Sequence, residues 1–473
     1  MSDAREGPRS LFEKLWDAHC VTRFDDGSDL LAVDVLFLHE RTGSVALESL
    51  QASGRSVRHP ERVWCTMDHI VNTRGDAPET LVPNGQAFLD ATRRSTRAAG
   101  IRLLDLDSVD RGIVHVVSPE LGIVHPGHLL VCPDSHTCSQ GALGALAWGI
   151  GSTEAEQVLA TQTLRASRPA NLRVCISGEF APAVSAKDLA LFLIARFGAA
   201  GAAGRAIEFT GEAVRAMSIE ARLTLCNLAV EFGAFTAIIA PDATTFAYLQ
   251  GRRHAPARRF WDEALRYWRL LASDEDAVYD ENLELDTRTL PPMLSWGTSP
   301  QHSMAIDGAV PDPRDFADAS ARSAAERALD YMQLVPGEQL LGKPIDAAFI
   351  GSCTNGRLED LRAAAELLRG RRVAAGVEAW CVPGSRAVKR EAEAQGLDRV
   401  FREAGFQWRE PGCSLCFYAG GEGFAPGARV LSTTNRNFEG RQGPRARTHL
   451  ASPATVAASA VAGCIADPRP PKH

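Results

Sequence analysis

The chain has 473 residues, 45% of them hydrophobic and 23% charged, and its formal net charge is −7. A chain of this length divides into roughly three domains, and its negative charge argues against a general phosphate-binding surface and so against nucleic acid as a first hypothesis. The sequence lacks the uninterrupted apolar run of a signal peptide and any uncharged apolar stretch of about 18 residues, so we expect a soluble, cytoplasmic protein without a membrane partner.

Helical and strand-like segments alternate along the chain, which is typical of an α/β fold. A helix is predicted from Leu11 to His19 behind a Ser10 cap, and a buried strand across residues 30–40. Further strands are predicted at residues 111–117, 128–134, 172–178, 346–352 and 377–384, and helices at residues 187–198, 322–333 and 359–370. The candidate functional residues lie where predicted strands end, which is where open parallel sheets bind their ligands.

Two stretches of the sequence predict domain boundaries. One lies near Pro169, and the other is the Pro-rich, charge-mixed stretch from about Leu283 to Phe316, which is typical of a connection between domains. We therefore predict three domains, at residues 1–170, 171–285 and 286–473.

Cys413 and Cys416 form a C-x-x-C pair in the sequence WREPGCSLCFYAG. Alone, such a pair fits a redox dithiol, half of a zinc site or two buried thiols, and the odd total of eleven cysteines argues against a disulfide framework. Cys353 has a comparable setting after a predicted strand and a glycine, at the start of a helix where N–H groups favour anions. Three thiolates would hold an iron–sulfur cubane with one iron open as a Lewis acid. Unrelated buried thiols are the alternative.

Two short motifs place an aspartate close to a histidine: Asp68 and His69 in MDH, and Asp134 and His136 in DSHT. A carboxylate partner fixes the tautomer of an imidazole and raises its basicity, and histidine titrates near neutral pH. Both motifs follow β-like runs of the sequence, which favours an acid–base role. A pair of polar surface turns is the alternative.

Two further patterns suit a polar substrate. Asn227 and Glu231 lie four residues apart in LCNLAVEFG and would share one face of a helix. The Gly-bounded stretch STTNRNFEGRQG contains Asn435, Arg436 and Arg441. Arginine stays charged and forms bidentate pairs with carboxylates, so two arginines on one loop suit a dicarboxylate, and an ordinary solvated basic loop is the alternative.

Taken in their order, the motifs resemble the aconitase superfamily, and most closely its branch of 3-isopropylmalate dehydratase large subunits. The resemblance runs from SLFEKLWDAH to THLASPATVAASAVAG, and it rests on TMDHIVNT, DSHT with GALGALAWGIGSTEAE, LTLCNLAVEFGA, FIGSCTNGRLEDLRAAA, EPGCSLC and TTNRNFEGRQG. It implies three aconitase-like α/β domains around a central cleft that holds a [4Fe–4S] cluster, with no swivel domain in this chain.

The resemblance also implies roles for individual residues. The cluster ligands would be Cys353, Cys413 and Cys416. The catalytic groups around the open iron would be Asp68, His69, His115, Asp134, His136 and Glu231. The substrate-binding positions would be Ser135, Asn227, Asn435, Arg436 and Arg441. His39 also matches an active-site position of the family.

The implied reaction is that of a hydro-lyase, which interconverts 2-isopropylmalate and 3-isopropylmalate by dehydration and rehydration in leucine biosynthesis. In the superfamily a swivelling domain carries the proton-abstracting serine and a further arginine that binds carboxylate. No segment resembles that domain before the chain ends at SAVAGCIADPRPPKH, and GSR at residues 384–386 resembles the serine loop only superficially. We therefore expect a separate small subunit to carry it.

Three positions depart from the family pattern. Pro133 precedes DSHT where glycine is usual, Gln140 stands where histidine is common, and the Gly-rich sequence FYAGGEGF at residues 417–424 replaces a loop with Asn and Arg. A paralogous enzyme acting on another 2-alkylmalate is therefore the main competing hypothesis. The alternatives from other classes are a cluster-free RNA-binding protein, disfavoured by the acidic balance, a ferredoxin-like carrier, disfavoured because it would use four cysteines, and an inert scaffold.

Overall fold

The computed structural model describes residues 7–76, 78–416, 418 and 421–470. Its helices are α1 (Leu11–His19), α2 (Gly43–Ala52), α3 (Gly85–Ala99), α4 (Val114–Glu120), α5 (Ser152–Thr161), α6 (Ala186–Phe197), α7 (Glu212–Ala216), α8 (Ile219–Leu228), α9 (Ala243–Leu249), α10 (Arg258–Arg269), α11 (Ala319–Met332), α12 (Ser352–Asn355), α13 (Leu358–Leu368), α14 (Arg386–Ala394), α15 (Leu397–Ala404) and α16 (Pro453–Ala462). Short 3₁₀ helices lie at Pro60–Arg62, Ser135–Leu143, Ala229–Phe232, Pro313–Asp315 and Ser414–Cys416.

The strands are β1 (Cys20–Arg23), β2 (Ser28–Ala32), β3 (Val35–His39), β4 (Val63–Thr66), β5 (Arg102–Leu104), β6 (Leu129–Cys132), β7 (Leu146–Gly149), β8 (Thr163–Ser167), β9 (Ala170–Ser177), β10 (Arg205–Thr210), β11 (Thr236–Ile238), β12 (Glu281–Asp286), β13 (Met293–Ser295), β14 (Ser303–Ala305), β15 (Ala347–Ile350), β16 (Glu378–Cys381), β17 (Gln407–Trp408), β18 (Arg429–Ser432) and β19 (Arg447–Leu450).

Three parallel sheets organise the chain. Their strand orders are β5-β4-β3-β6-β7, β11-β10-β9-β12 and β17-β16-β15-β18-β19. Two smaller antiparallel sheets have the orders β1-β2-β8 and β13-β14. The predicted α/β class is therefore confirmed.

Both five-stranded sheets begin at their central strand. In the first, the chain runs outward from β3 to β4 and β5, and then returns to the other side of β3 as β6 and β7. The second repeats this pattern from β15, with β16 and β17 on one side and β18 and β19 on the other. A parallel sheet binds ligands beyond the carboxyl ends of its strands, where the strand order reverses. These points lie between β3 and β6, and between β15 and β18.

Two apolar clusters form most of the core. One joins buried side chains between residues 11 and 290, and the other joins residues 294–465 with two side chains from the start of α4. Val114 and Val117 pack into the first cluster, whereas Ile113 and Val116 pack into the second. Residues 113–117 therefore hold the two five-stranded sheets in a fixed relation.

The predicted strand at residues 111–117 is wrong, because this run leads into helix α4. Its valines and isoleucine favour a strand locally, but the first turn of the helix receives a partner from elsewhere. Oδ2 of Asp68 accepts a 2.9 Å hydrogen bond from the N–H of Val114, one of the groups that a helix start leaves unpaired.

The predicted single strand at residues 30–40 is also wrong, since it divides into β2 and β3, which belong to different sheets. Asp34 lies at the break. Its Oδ2 accepts hydrogen bonds from the N–H of Leu129 at 2.9 Å and from Nε2 of His19 at 2.8 Å. Both β2 and β3 are largely buried, so the apolar pattern of the sequence does not show where one strand ends and the next begins.

The other predicted strands and helices are present with small shifts at their ends. Strand β9 begins at Ala170 and β12 ends at Asp286, and the three-domain division remains a prediction. Among the described residues, no helix is long and apolar enough to cross a membrane.

Candidate active site

The switch points of the two five-stranded sheets meet at a cavity of about 380 Å³. It is lined by His39, Arg41, Thr42, His69, Ile113, Val114, His115, Pro133, Asp134, Ser135, His136, Cys353, Cys413, Cys416, Arg436 and Arg441. The remaining predicted site residues lie directly behind this lining and contact it; they are Asp68, Asn227, Glu231 and Asn435. Side chains from distant parts of the sequence therefore share one cavity.

The three predicted cysteine ligands reach the cavity from two loops. Cys353 lies in α12, directly after β15, and the other two lie at the 3₁₀ helix Ser414–Cys416. All three are buried free thiols. Ser352 and Ser414, next to these cysteines, have φ angles of 76° and 45°, in the left-handed region that residues other than glycine rarely adopt. Both loops thus hold a constrained backbone.

Polar groups surround the sulfur atoms. Nδ2 of Asn227 and Nδ2 of Asn435 donate to Sγ of Cys353 at 3.3 and 3.4 Å. A hydrogen bond shared with Cys353 holds the pKa of Cys416 well below its ordinary value against the effect of burial, with help from Arg441, and the same bond raises the pKa of Cys353. The surroundings therefore favour thiolate at Cys416, whereas burial raises the pKa of Cys413.

Asp134 gathers three partners at the end of β6. Nε2 of His115 and the backbone N–H of His136 both donate to its Oδ1 at 2.7 Å, and Nε2 of His69 donates to its Oδ2 at 3.1 Å. Burial raises the pKa of Asp134, but the contacts with these histidines outweigh it and hold the pKa well below its usual value. Asp134 is therefore an ionised carboxylate that orients the imidazoles.

His69 lies between two carboxylates. Its Nδ1 donates to Oδ1 of Asp68 at 2.7 Å, and its Nε2 donates to Asp134. Burial lowers the pKa of His69, but the charges of Asp68 and Asp134 outweigh burial and raise the pKa well above the usual value. Both ring nitrogens donate, so His69 is an imidazolium.

A second acid–base group joins His136, Glu231 and Arg436. Oε1 of Glu231 accepts from Nε2 of His136 at 2.8 Å and from Nε of Arg436 at 2.6 Å. Burial raises the pKa of Glu231, and the contact with His136 and the charge of Arg436 lower it further than burial raises it. Asn227 lies on α8, whereas Glu231 lies on the following 3₁₀ helix. The two therefore do not extend one helical face, and they meet different partners.

A sequence model of the aconitase family (aconitate hydratase) matches residues 13–463. The chain belongs to the aconitase family. The resemblance predicted from the motifs is thereby confirmed.

Two curated relatives of this aconitase-family chain are similar over nearly its whole length. The 3-isopropylmalate dehydratase large subunit 1 of Bradyrhizobium diazoefficiens is 54% identical over 461 residues, covering 98% of this chain and 96% of its own. The 3-isopropylmalate dehydratase large subunit of Roseiflexus castenholzii is 48% identical over 467 residues, covering 98% and 99%. A crystal structure of Thermococcus kodakaraensis aconitase X in its holo form covers 90% of this chain and 88% of its own, with 13% identity and a TM-score of 0.47, too low to support a detailed comparison.

Sequence reasoning missed Glu40 in this aconitase-family site. Its fully buried carboxylate accepts the backbone N–H groups of Asp68, His69 and Ile70 at 3.1, 2.6 and 2.7 Å. Burial and the charge of Asp68 raise the pKa of Glu40 to about 7. Glu40 fixes the turn that presents Asp68 and His69. The available signal was an acidic residue at the end of the buried run VLFLH.

Two other buried charges were also missed. Lys187 on α6 donates from Nζ to the carbonyl of Thr433 at 2.9 Å and to that of Thr434, and burial lowers the pKa of Lys187 to about 7. Glu422 lies buried behind the loop of Cys413. A charged residue gives no local sign of burial when its partners lie far away in the sequence.

Of the departures noted in the sequence, Pro133 lines the cavity and Gln140 lies behind it against His115. The carbonyl of Pro133 accepts from Nε2 of His39 at 2.9 Å, and burial and the neighbouring His69 lower the pKa of His39 to about 4. Nε2 of Gln140 donates to Nδ1 of His115 at 3.5 Å, which leaves Nε2 of His115 as the donor to Asp134. Within the Gly-rich loop, residues 417, 419 and 420 lie outside the described part of the chain.

Proposed function

We propose that this chain is the large subunit of 3-isopropylmalate dehydratase, a hydro-lyase that interconverts 2-isopropylmalate and 3-isopropylmalate in leucine biosynthesis. The observation that carries the proposal is one cavity in which three buried cysteines meet Asp134, histidines and arginines. The names of the two relatives supply the substrate. A paralogue acting on another 2-alkylmalate is not favoured, because both relatives carry the same name.

The cavity fits a [4Fe–4S] cluster held by Cys353, Cys413 and Cys416. Its donor set is three thiols without a fourth cysteine in the lining, and amide and guanidinium donors point at the sulfurs. Hydrogen bonds to the sulfurs are a means by which proteins tune such clusters. When bound, the cluster supplies a Lewis-acidic iron at the corner that no cysteine holds.

The arginines of the cavity suit the carboxylates of the substrate. Arg436 and Arg441 lie on the loop after β18, and Glu231 fixes Arg436 through its Nε, so that the two Nη groups remain available for a bidentate pair. Two cations on one loop offset the repulsion between a dianion and a net-acidic protein. We assign Arg436 and Arg441 to substrate carboxylates, and Ser135, at the cavity wall, to a substrate oxygen.

The Asp/His set suits the movement of a proton to the departing hydroxyl. His69 and His115 both reach Asp134, and His136 reaches Glu231. These groups hold a proton within one hydrogen-bonded set and accept it again when water returns on the adjacent carbon. Positioned acids and bases of this kind contribute about 10²- to 10⁴-fold in rate.

We further propose that a separate small subunit completes the site. It would carry the swivel domain, with the serine that removes the proton from carbon and a further arginine for carboxylate. Both relatives are named as large subunits, which supports this assignment.

The function is tested by anaerobic reconstitution of the chain with iron and sulfide, followed by assay with 2-isopropylmalate and a panel of other 2-alkylmalates. We expect turnover of 2-isopropylmalate only when the small subunit encoded with this chain is added. Cluster-free protein with the same small subunit is the control. Robust turnover by the chain alone would refute the need for the small subunit, and preference for another 2-alkylmalate would refute the substrate.

A further inference from the structure

The carboxylate of Glu422 accepts hydrogen bonds from three residues, which come from two distant parts of the chain. It accepts from the N–H of Thr73 at 2.9 Å, from Oγ1 of Thr73 at 2.8 Å and from Nη1 of Arg409 at 3.2 Å, and the hydroxyl of Ser414 donates to it as well. Its side chain is 0% exposed and that of Arg409 is 4% exposed. Hydrogen bonds to a buried charge are among the strongest in proteins.

Ser414, one of these three donors, lies between the proposed cluster ligands Cys413 and Cys416. Its φ of 45° is unfavourable for any residue with a Cβ atom. The bond from its hydroxyl to Glu422 offsets this cost. Glu422 thereby fixes the backbone that aims both sulfurs.

Thr73, the second donor, belongs to the turn at residues 68–73 that presents Asp68 and His69, which we call the catalytic turn. A backbone hydrogen bond also joins this turn to the loop of Cys413, since the N–H of Cys413 donates to the carbonyl of Asp68 at 2.7 Å. The approach is so close that a Cβ on Gly412 would lie 3.0 Å from Cγ2 of Thr73. The loop that carries Cys413 and Cys416, which we call the cysteine loop, and the catalytic turn therefore form one unit around Glu422.

Arg409, the third donor, links this unit to the five-stranded sheet that contains β16. The guanidinium of Arg409 lies 3.3 Å from the ring centroid of Trp380, in β16. This stacking holds the cation that balances the buried Glu422. Removing one partner of such a pair leaves an uncompensated buried charge, which is strongly unfavourable.

We propose that Glu422 is a positioning residue that couples the geometry of Cys413 and Cys416 to that of the catalytic turn. A change on the turn side is transmitted to the cluster, and a change on the loop side is transmitted to Asp68 and His69. This inference rests on the proposed cluster.

The sharpest test is Thr73→Val in the reconstituted protein. The substitution keeps the shape and the backbone N–H, and it lies on the turn and not on the cysteine loop. It removes the hydroxyl that donates to Glu422 at 2.8 Å and that also lies 3.3 Å from Oγ of Ser414. We expect altered EPR g values of the reduced cluster and about tenfold faster iron loss in air, because a hydrogen bond to a charge is lost. A variant that merely loosened the turn would leave the cluster spectrum unchanged.

Glu422→Gln should give a larger change in the same direction, and Glu422→Asp, which keeps the charge, should restore part of the wild-type spectrum. Glu439→Gln, at an exposed residue of the neighbouring Arg loop, is the matched control and should match wild type. If Glu422→Gln does not fold, Thr73→Val decides the question alone. Wild-type EPR and iron loss in a folded Thr73→Val variant would overturn the inference. A wild-type chain that takes up no cluster would instead refute the proposed function itself.

Discussion

Asp134 is the residue on which the acid–base geometry of the cavity converges. Its two oxygens accept from His69, His115 and the backbone of His136. An asparagine in its place would keep one acceptor and add an NH₂ group that faces imidazole donors. The three partners would then lose their common orientation.

We therefore predict that Asp134→Asn lowers kcat by about 10²- to 10⁴-fold, with iron content unchanged because Asp134 is not among the cysteine ligands. The measurement is steady-state kinetics with matched iron analysis. Asp262→Asn, on an exposed position of α10, is the control. An Asp134→Asn variant with more than a tenth of wild-type kcat would contradict the role assigned to Asp134.

At the residue scale, the sequence predicted the side chains that face the cavity better than those that support them. The motifs around His69, Asp134 and Cys413 are short and local, so they can be recognised in sequence. Glu40 and Glu422 act on backbone groups 28 and 349 residues away along the chain. Only the folded chain brings such partners together.

Helix α6 supports the loop that follows β18. Lys187 in its first turn is fully buried, and its Nζ donates to two carbonyls directly before Asn435 and Arg436. This contact joins the region of the four-stranded sheet, where α6 follows β9, to the loop that carries Arg436 and Arg441. The loop conformation thus depends on an element outside the site.

Replacing Lys187 with methionine should leave both carbonyls without a donor. We predict a loss of at least about 2 kcal/mol in the free energy of unfolding and a raised KM, since Arg436 is displaced. Urea unfolding and kinetics provide the measurements. Arg196→Met, on an exposed position of the same helix, is the control, and a Lys187→Met variant within about 0.5 kcal/mol of wild type would contradict the prediction.

Strand β19 carries a buried neutral histidine. Nε2 of His449 accepts from Nη1 of Arg429 at 2.8 Å, and Nδ1 donates to the carbonyl of Ser295 at 2.7 Å. Burial and the charge of Arg429 lower the pKa of His449 to about 3. In the unfolded chain the pKa of a histidine is about 6.5. Below that pH the unfolded chain binds a proton that the folded chain does not, so acid favours unfolding.

The contribution of His449 should therefore fall by about 1.4 kcal/mol per pH unit as the pH drops from about 6.5 towards 4. Asparagine can make both hydrogen bonds and does not titrate, so His449→Asn should flatten this slope. Urea unfolding at pH 7, 6 and 5 measures it. The His59→Asn variant, at a half-exposed position, should keep the wild-type slope. Parallel slopes for His449→Asn and wild type would rule out this account.

At the scale of elements, apolar runs of the sequence predicted most strands, but they did not show where one run divides into two elements or leads into a helix. Residues 30–40 and 111–117 both depend on an aspartate, Asp34 and Asp68, whose partners come from other elements. Local propensity carries no information about such partners. This is why both errors fall at positions where one element meets another.

At the scale of the whole molecule, two sheets with reversed strand order place their switch points on one cavity. The first sheet contributes the Asp/His set from the ends of β4 and β6, and the second contributes the cysteines and arginines from the ends of β15, β17 and β18. The sequence predicted that strand ends carry the function. It did not show that α4 packs into both cores and so fixes the distance between the two sheets.

The most direct test of the account is spectroscopy of the anaerobically reconstituted chain, by iron and sulfide analysis with EPR and Mössbauer spectra. We predict about four iron and four sulfide per chain, loss of the cluster in Cys353→Ser but not in Cys175→Ser, and a changed signal from one iron when 2-isopropylmalate is added. Zinc in place of iron, or a cluster whose four irons all keep protein ligands and ignore the substrate, would contradict the account.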